Sequence, residues 1–432
     1  MELSTCLDNN SRKELIQDEV GTVNGVFNSY RGLSKQAKLL TIQAILPAVA
    51  YGMFYTDISY FLTSVQGLSY SFMGLIITTM GIATFASSIP LGIAADKYGR
   101  KKTLILGNVM AGVIIAFFAF TTSPAALIIA AIFEGISEAA FSASSGALLA
   151  EHADSEKRNS VFSLYGFANS MAFGIGSLAI PSIVVFEVLG FSNKVSHGLL
   201  YITFAALSLV STVLLLKIKE SDRRKRPKKL EVGHEGTVSH KQSRSILAKY
   251  VLTSAIIAFG AGMVVPLMTA WLRLQYGIPD VVSGPILGLV SIFIGVATLA
   301  SPLIAKKLGL VKAIVVTQLA STIFMFATPL SGSFIIASSV YCVRAFLMNM
   351  ASPLSWSLIM GLVDEDERGM ASGVNAALWR LPNALSTFIG AFLMSIGLLA
   401  LPFFLASIFY SISIALFWYF FRKTRMPEEK VN

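Results

Sequence analysis

Five ionisable side chains interrupt long apolar stretches of the sequence: Asp57, Glu134, Glu138, Arg344 and Arg380. With a helical rise of about 1.5 Å per residue, each lies about 12–18 Å from an end of its stretch. A charge near the middle of a bilayer costs at least about 2.5 kcal/mol, so side chains that remain there face a cavity or a partner. These five residues therefore predict where the functional site lies.

Glu134 and Glu138 are four residues apart and so share one helical face, which Ser142 and Ser145 extend. Two carboxylates this close cannot both stay ionised where the dielectric constant is low, so one is expected to carry a proton near neutral pH. We predict that both take part in proton coupling, together with Asp57. The alternatives are a static buried ion pair for the glutamates and, for Asp57, a substrate contact or a hydrogen bond within the N-terminal half.

The elements that carry these residues are twelve apolar stretches, each long enough to cross a bilayer as a helix. Of the 432 residues, 54% are hydrophobic and 13% are charged, whereas a soluble domain has about 45–50% and about 25%. This composition excludes a cytosolic enzyme, a disordered protein and a fibrous protein, and it predicts an all-α membrane protein. The predicted spans 1 to 12 lie near 37–65, 71–95, 103–121, 125–150, 160–186, 197–217, 246–275, 281–305, 312–329, 334–362, 370–396 and 399–421.

The spans divide into a predicted N-terminal six-helix bundle, 37–217, and a C-terminal six-helix bundle, 246–421. A basic linker, 218–245, joins them, and polar tails occupy 1–36 and 422–432. Thirty of the 34 lysines and arginines lie in the tails, the linker and the loops on that same side. The positive-inside rule therefore places both termini in the cytoplasm, in a multi-pass protein of the cell membrane. The net charge of +10 then indicates orientation and contact with anionic lipid headgroups, and no nucleic-acid partner is expected.

An internal repeat with an offset of 210 residues relates the two predicted bundles. Glycines recur at this offset as the pairs Gly52 and Gly262, Gly67 and Gly277, Gly74 and Gly284, and Gly99 and Gly309. Glu134 and Arg344 also stand 210 residues apart, so they occupy equivalent places in spans 4 and 10. A parallel duplication predicts two halves related by an axis along the membrane normal, with a site at their interface near the midplane.

The loop between spans 2 and 3 carries a recognisable motif, GIAADKYGRKKTL. Gly92 allows close packing of span 2, Gly99 allows a tight turn, and the basic residues from Arg100 onward anchor span 3 at the headgroups. Gly92, Asp96, Gly99 and Arg100 make the stretch resemble the loop signature of the major facilitator superfamily, G-x-L-a-D-r-x-G-r-[RK]-x-x-L. With the twelve spans and the repeat, the resemblance covers essentially the whole chain.

The resemblance implies a fold of 12 transmembrane helices in two pseudo-symmetric six-helix bundles. It also implies that Asp96 and Arg100 belong to a charge network that latches the cytoplasmic side when the protein opens outward. The candidate partners in that network are Glu151, Asp154 and Asp364. In the second copy of the loop, Lys306 stands where the first has Asp96, so the latch is expected to be asymmetric.

In the superfamily, spans 1, 4, 7 and 10 line a central cavity, which would set Glu134 of one half against Arg344 of the other. Our hypothesis is that the two pair directly or through the substrate, and that protonation releases the pair. Arg380 could line the edge of the cavity or pair with Glu138. The predicted substrate-cavity residues are Arg344, Arg380, Tyr55, Asn349 and Trp379. For the asparagine and the aromatic residues, the alternative is packing between helices or against lipid.

The sequence as a whole predicts a secondary transporter that moves a small organic solute by alternating access. It contains no G-x-x-x-x-G-K-[ST] loop for ATP, so a proton gradient is expected to drive transport. A general resemblance to drug and metabolite:proton antiporters favours efflux, although Ala131 stands where their span 4 usually has an arginine. The alternatives are uptake of an anionic metabolite and, from other classes, a non-transporting receptor or scaffold, a pore or a membrane enzyme. The two cysteines and four histidines are scattered, so no metal site is expected. No nucleophile–base set is visible, so we also expect no catalytic residues and no cofactor. We expect a monomer.

Overall fold

The chain folds into helices and contains no β-strand in the part that the computed structural model describes, which is residues 33–152, 158–218, 240–362 and 368–423. Eleven helical segments of this part are long and apolar enough to cross a membrane. A further long helix, Arg368–Ser395, lies where span 11 is predicted. The all-α membrane fold predicted from the composition is therefore confirmed.

Each span is one long helix or a helix with a short break. Their bounds are Lys35–Tyr60 with a π-helical turn Phe61–Val65 for span 1, Tyr70–Tyr98 for span 2, Arg100–Phe120 for span 3, Pro124–Glu151 for span 4, Arg158–Leu178 with Ile183–Val188 for span 5, Asn193–Leu215 for span 6, His240–Gly262 with Met268–Tyr276 for span 7, Asp280–Leu308 for span 8, Leu310–Ala327 for span 9, Phe334–Leu362 for span 10, Arg368–Ser395 for span 11 and Leu401–Phe421 for span 12. These bounds agree with the predicted stretches to within a few residues.

The internal repeat is visible in the backbone at its turns. Gly67, after span 1, has a φ of 72°, and its counterpart Gly277, after span 7, has a φ of 71°. Gly99 and Gly309, which separate spans 2 and 3 and spans 8 and 9, have φ values of 113° and 76°. Side chains other than glycine rarely adopt positive φ, because the Cβ atom would collide with the backbone. Gly99, which was predicted to permit a tight turn, therefore does so, and its repeat counterpart Gly309 also has positive φ.

The repeat also fixes two close approaches between helix backbones. A Cβ atom added to Gly52 of span 1 would lie 2.0 Å from the carbonyl oxygen of Phe173 in span 5. A Cβ atom added to Gly262 of span 7 would lie 2.0 Å from the carbonyl oxygen of Asn383 in span 11. Both members of each contact are displaced by 210 residues between the halves. Spans 1 and 5, and spans 7 and 11, therefore touch through their backbones at equivalent points.

The two halves meet along two pairs of helices, span 2 with span 11 and span 5 with span 8. On one side, Thr78 donates a hydrogen bond of 2.8 Å to the carbonyl oxygen of Ala384. On the other, Gly174 and Gly288 approach each other so closely that a Cβ on either would lie 2.8 Å from the carbonyl oxygen of its partner. These pairs leave a space between the halves that holds the candidate site.

In the part of the chain that the structure describes, hydrogen bonds between the halves gather toward one face of the bundle. We call the face at which spans 2, 6 and 12 end the inner face, following the orientation predicted from the charges. Hydrogen bonds between described residues of opposite halves lie at mid-depth or nearer the outer face, as for Ser71 with Ser395 and Thr269 with Thr56. Toward the inner face, Cβ atoms on Gly146 of span 4 would meet nothing within 4 Å.

Candidate functional site

A cavity of about 620 Å³ lies between the two halves. Its wall comes from spans 1, 2, 4, 5, 7, 8, 10 and 11. The apolar part of the wall includes Ile58, Ile77, Met80, Phe173, Leu287 and Ile294. The polar part includes Thr56, Glu138, Thr269, Ser291, Arg380, Asn383 and Thr387. An apolar pocket with a few convergent polar groups suits a small amphipathic molecule.

The hydroxyl of Tyr55 joins the two predicted carboxylates. It lies 2.8 Å from Oε1 of Glu134 and 3.3 Å from Oε2 of Glu138. The two glutamates reach it because they stand one helical turn apart on span 4, while Tyr55 projects from span 1. Glu134 and Glu138 therefore share one helical face, as the spacing predicts.

The two glutamates differ in their surroundings. Glu134 is fully buried behind Tyr55, and its Oε2 atom has no hydrogen-bond partner among the described residues. The side chain of Glu138 is 26% exposed and lies in the cavity wall. Thr84 of span 2 lies 3.3 Å from Oε2 of Glu138, so this carboxylate has several polar neighbours where Glu134 has one.

Glu138 forms an ion pair with Arg380 across the two halves. The Nη1 atom of Arg380, on span 11, lies 2.6 Å from Oε1 of Glu138, on span 4. This pair was one of the two arrangements proposed for Arg380 from the sequence. Because both side chains line the cavity, the pair stands where a solute would enter.

Arg344 does not pair directly with Glu134 in this structure. Its guanidinium donates to the hydroxyl of Tyr410 and lies over the rings of Tyr341 and Tyr410, at 5.6 and 5.5 Å from their centroids. Arg344 is buried within the C-terminal half. The offset of 210 residues therefore predicts its depth in span 10 but not the direction in which its side chain points.

Of the other predicted cavity residues, Tyr55 and Trp379 lie in the wall and Asn349 does not. The side-chain amide of Asn349 donates to the carbonyl oxygen of Ala345 in its own helix, at 2.9 Å. Its prediction as a substrate contact is not supported by this geometry. A hydrogen bond within the helix satisfies the amide without any ligand.

Asp57 lies in a separate buried cluster nearer the outer face. Its Oδ2 atom accepts from the hydroxyl of Tyr201 at 2.9 Å and lies 3.1 Å from Nδ1 of His197. Both partners belong to span 6, so the hydrogen-bonding alternative within the N-terminal half is the arrangement found. The Nε2 atom of His197 lies 3.7 Å from Oδ2 of Asp280, at the start of span 8.

The sequence comparison matches this architecture to a known family. Residues 40–387 match the family described as Major Facilitator Superfamily. The chain belongs to the major facilitator superfamily. It is accordingly a multi-pass membrane protein and a membrane transporter, as the loop motif and the repeat predicted.

Two relatives of this protein are distant from it in sequence. An uncharacterised MFS-type transporter of Methanocaldococcus jannaschii, MJ1560, is 22% identical over 331 residues, which is 76% of this chain and 82% of that protein. An uncharacterised membrane protein of Saccharomyces cerevisiae, YJR124C, is 21% identical over 388 residues, covering 78% of this chain and 86% of that protein. Neither name specifies a substrate.

Solved structures of superfamily transporters share the fold. A variant of the nucleoside transporter NupG has a TM-score of 0.71 at 14% identity, covering 90% of this chain and 100% of that chain. A bacterial homologue of the human lysosomal transporter Spinster, inward-facing and unoccupied, has a TM-score of 0.70 at 13% identity, with 90% and 97% covered. A D-xylose-proton symporter has a TM-score of 0.71 at 17% identity, with 92% and 99% covered. These likenesses establish the superfamily fold.

The superfamily's signature loop forms a charged cluster at the inner face. Arg100 lies 3.2 Å from Oδ1 of Asp96, one turn earlier, and 3.4 Å from Oε2 of Glu151 at the end of span 4. Its Nη1 atom also donates to the carbonyl oxygen of Ala147 at 3.2 Å. Glu151, one of the three candidate partners, is therefore in contact with Arg100. Of the other two, residues 154 and 364 lie outside the described residues.

Two predictions for this loop have different outcomes. Gly99 makes the tight turn, with a φ of 113°. Gly92 was expected to pack closely on a neighbouring helix, but a Cβ atom there would meet nothing within 4 Å. Close packing at Gly92 stays a prediction, because the side chains of residues 369–377, in the part of span 11 that would face it, are not described.

His197 and Asp280 are the site residues that sequence reasoning missed. The four histidines were judged scattered along the sequence, and His197 was not considered together with Asp57, which lies 140 residues away. The available signal was the type of residue: an imidazole within the apolar stretch of span 6, and an aspartate at the outer start of span 8. Only the packing of spans 1, 6 and 8 brings the three side chains together.

Proposed function

We propose that this transporter exports a small amphipathic organic solute in exchange for protons. The observation that carries the proposal is the hydroxyl of Tyr55, which connects Glu134 to Glu138 while Glu138 pairs with Arg380 across the halves. Protonatable groups, a charge pair between the halves and the cavity wall thus meet at one place. Proton binding and solute binding can therefore act on the same atoms.

The cluster suits proton exchange because its two acids have unequal charge compensation. Glu134 is buried with one hydroxyl neighbour and no cation in contact, so its neutral form is the one its surroundings favour. Glu138 instead faces the guanidinium of Arg380, whose Nη1 atom lies 2.6 Å from Oε1. A proton bound to Glu138 would neutralise its carboxylate and weaken the ion pair with Arg380. The Tyr55 hydroxyl offers a path for the proton between the two acids.

Competition for Glu138 would couple the two fluxes. A solute with an amine or other donor can occupy the carboxylate of Glu138 only when the proton has left it. The apolar remainder of the solute would contact the wall near Ile58 and Ile77. Alternating access follows if the halves, proposed as 37–217 and 246–421, rock about this site while the linker 218–245 connects them. We propose that the inner face lies on the cytoplasmic side of the cell membrane. We also propose that the transporter functions as a monomer.

The test is flux in liposomes that contain the purified, full-length chain. A pH-sensitive dye inside the vesicles reports proton movement when amphipathic amines and neutral metabolites are added under an imposed pH gradient. We expect solute-dependent proton movement with the wild type, and its loss with Glu134→Gln and with Glu138→Gln. Glu187→Gln is the matched control, because Glu187 lies outside the cavity and accepts from Asn193 at 2.8 Å. Full proton coupling in Glu134→Gln would refute the proton role.

A second candidate is proton-coupled uptake of an anionic metabolite. Its supporting observation is that the side chain of Arg380 is 30% exposed in the cavity wall, so a carboxylate or phosphate could replace Glu138 as its partner. The same liposomes separate the two candidates. Export by exchange makes the solute and the proton move in opposite directions, whereas this uptake makes them move together. Absence of flux across the whole panel would favour a receptor or scaffold.

A further inference from the structure

A second cavity, of about 360 Å³, lies within the C-terminal half, and we call it the C-terminal pocket. Its described lining comes from spans 7, 9, 10, 11 and 12. Trp379 of span 11 lines both this pocket and the cavity between the halves. The two spaces therefore adjoin at this residue, and one solute can reach into both.

The C-terminal pocket is polar but uncharged. Its described lining contains no Asp, Glu, Lys, Arg or His, whereas the cavity between the halves has Glu138 and Arg380 in its wall. The polar lining consists of one glutamine amide and six hydroxyl groups. The hydroxyl groups belong to Tyr250, Thr253, Ser254, Ser352, Ser355 and Ser413. An ion here would be buried without a counter-ion, which is unfavourable, so a fitting ligand group is neutral.

Two polar side chains of the pocket have hydrogen-bonding capacity to spare. Gln318 of span 9 and Ser355 of span 10 are each 8% exposed. Within the part of the chain that the structure describes, the main-chain carbonyl of Gln318 accepts from Thr322, but its side-chain amide has no hydrogen bond. The hydroxyl of Ser355 has none there either. Buried amides and hydroxyls are normally paired, and these two can both donate and accept. They therefore indicate a ligand group that accepts and donates hydrogen bonds.

Two tryptophans give the pocket flat apolar surfaces. Trp356 of span 10 and Trp379 of span 11 both line it. They are 40% and 39% exposed, so part of each residue is left uncovered by protein. Indole rings bind other rings through stacked or edge-to-face contacts. A ring that carries a hydroxyl or an amide group therefore matches the tryptophans and the unpaired Gln318 together.

The internal repeat shows that this pocket is a feature of one half. Gly146 and Asn169 stand 210 residues before the two tryptophans, so the N-terminal half has no indole at these places. Conversely, Met348 of the pocket stands 210 residues after Glu138. The N-terminal half thus supplies the acid and the C-terminal half the uncharged aromatic pocket. A solute with one ionic end and one uncharged end contacts both halves.

We propose that the C-terminal pocket binds the uncharged end of the transported solute, and that this end is a ring carrying a hydroxyl or amide group. Gln318 and Ser355 hydrogen-bond to the substituent, and the two tryptophans contact the ring. The amine of the same solute lies at Glu138. This assignment rests on the proposed export of an amphipathic solute, and it adds the chemical class of the solute's far end.

The experiment measures binding to the full-length protein in detergent, at one pH and without vesicles. The probes are primary alkylamines that end in a phenyl ring, with alkyl spacers of increasing length. One series carries a para-carboxamide on the ring, and the other carries a para-isopropyl group of similar shape. At the best spacer length, calorimetry should show the carboxamide binding at least about tenfold tighter, because a site that pairs polar groups rejects an apolar isostere.

Gln318→Leu should remove most of this preference. Without the amide, the carboxamide should bind only about twofold tighter than the isopropyl compound, or less. Gln43→Leu is the matched control, because Gln43 is also a buried glutamine but lies 3.5 Å from the hydroxyl of Ser211 and lines neither cavity. It should keep the preference of the wild type.

The proposal is overturned if the wild type binds no carboxamide more tightly than its isopropyl counterpart, or if the preference is undiminished in Gln318→Leu. Should Gln318→Leu fail to fold, Ser355→Ala takes its place under the same criterion. Glu138→Gln should weaken the binding of both series equally and leave the preference intact, since it removes only the partner of the amine. A preference in detergent without proton movement in liposomes would refute the proposed exchange and support the assignment of the pocket.

Discussion

Arg380 of span 11 and Glu138 of span 4 form an ion pair of 2.6 Å that crosses the boundary between the two halves. Their side chains are 30% and 26% exposed, and both line the cavity. A pair with this exposure stabilises a fold by about 1 kcal/mol or less. The pair therefore contributes little to folding, and the proposed exchange uses it because it lies in the cavity wall.

Replacing Arg380 should separate these two roles. We expect Arg380→Gln to reduce solute-dependent proton movement at least about tenfold while the Tm changes by only a few degrees, since a part-exposed pair contributes little to folding. Arg380→Lys keeps the charge and should retain part of the flux. Liposome flux and thermal unfolding of the same preparations provide the measurement. Flux at the wild-type rate in Arg380→Gln would contradict the role of the pair.

Removing the hydroxyl of Tyr55 should disconnect the two glutamates. Tyr55→Phe keeps the ring in the wall and deletes the group that lies 2.8 Å from Glu134 and 3.3 Å from Glu138. The loss of a buried hydrogen bond should lower the free energy of unfolding by about 1–2 kcal/mol, and proton movement per solute should fall.

Tyr51→Phe is the matched control for this variant. Tyr51 stacks on Tyr55 with ring centroids 5.6 Å apart, but its hydroxyl makes only a long contact of 3.5 Å with Ser137. It should leave proton movement close to the wild-type value. Equal losses in both variants would show that aromatic packing, rather than the Tyr55 hydroxyl, supports coupling.

The two backbone contacts of the repeat should be intolerant of a methyl group. Gly52→Ala and Gly262→Ala each place a Cβ atom 2.0 Å from a carbonyl oxygen of a neighbouring helix. The helices must move apart, which should cost about 3 kcal/mol in each variant. Thermal unfolding of the purified proteins measures this loss.

Gly146→Ala is the control for the glycine variants, since a Cβ atom there meets nothing within 4 Å. Alanine is favoured over glycine in a helix by about 1 kcal/mol, so this variant should be as stable as the wild type or slightly more so. If Gly52→Ala unfolds at the same temperature as Gly146→Ala, the backbones do not touch as described.

The sequence predicted the features that depend only on residues close together along the chain. Span bounds follow from local apolar composition, and the turns at Gly99 and Gly309 follow from a residue type that tolerates positive φ. The stripe of Glu134 and Glu138 follows from the helical period alone. Each of these inferences needs no knowledge of which helices pack together.

The remaining features depend on tertiary packing. The repeat set Glu134 and Arg344 at equivalent depths, yet the guanidinium of Arg344 lies against Tyr410 of its own half. Equivalent positions in two halves share a depth and a helix, but a long side chain selects its partner from its immediate neighbours. For the same reason, nothing in the separate stretches of spans 6 and 8 indicated that His197 and Asp280 would meet.

The backbone contacts at Gly52 and Gly262 have a mechanical consequence. Two helices that touch through their backbones have no side chain between them that could rearrange, so we expect spans 1 and 5 to move as one unit and spans 7 and 11 as another. Span 5 rests on span 8, and span 11 rests on span 2, in the opposite half. We therefore expect a displacement of span 8 or span 2 to move the adjoining helix pair as a whole. The first pair carries Tyr55 and the second carries Arg380, so both side chains would move with it.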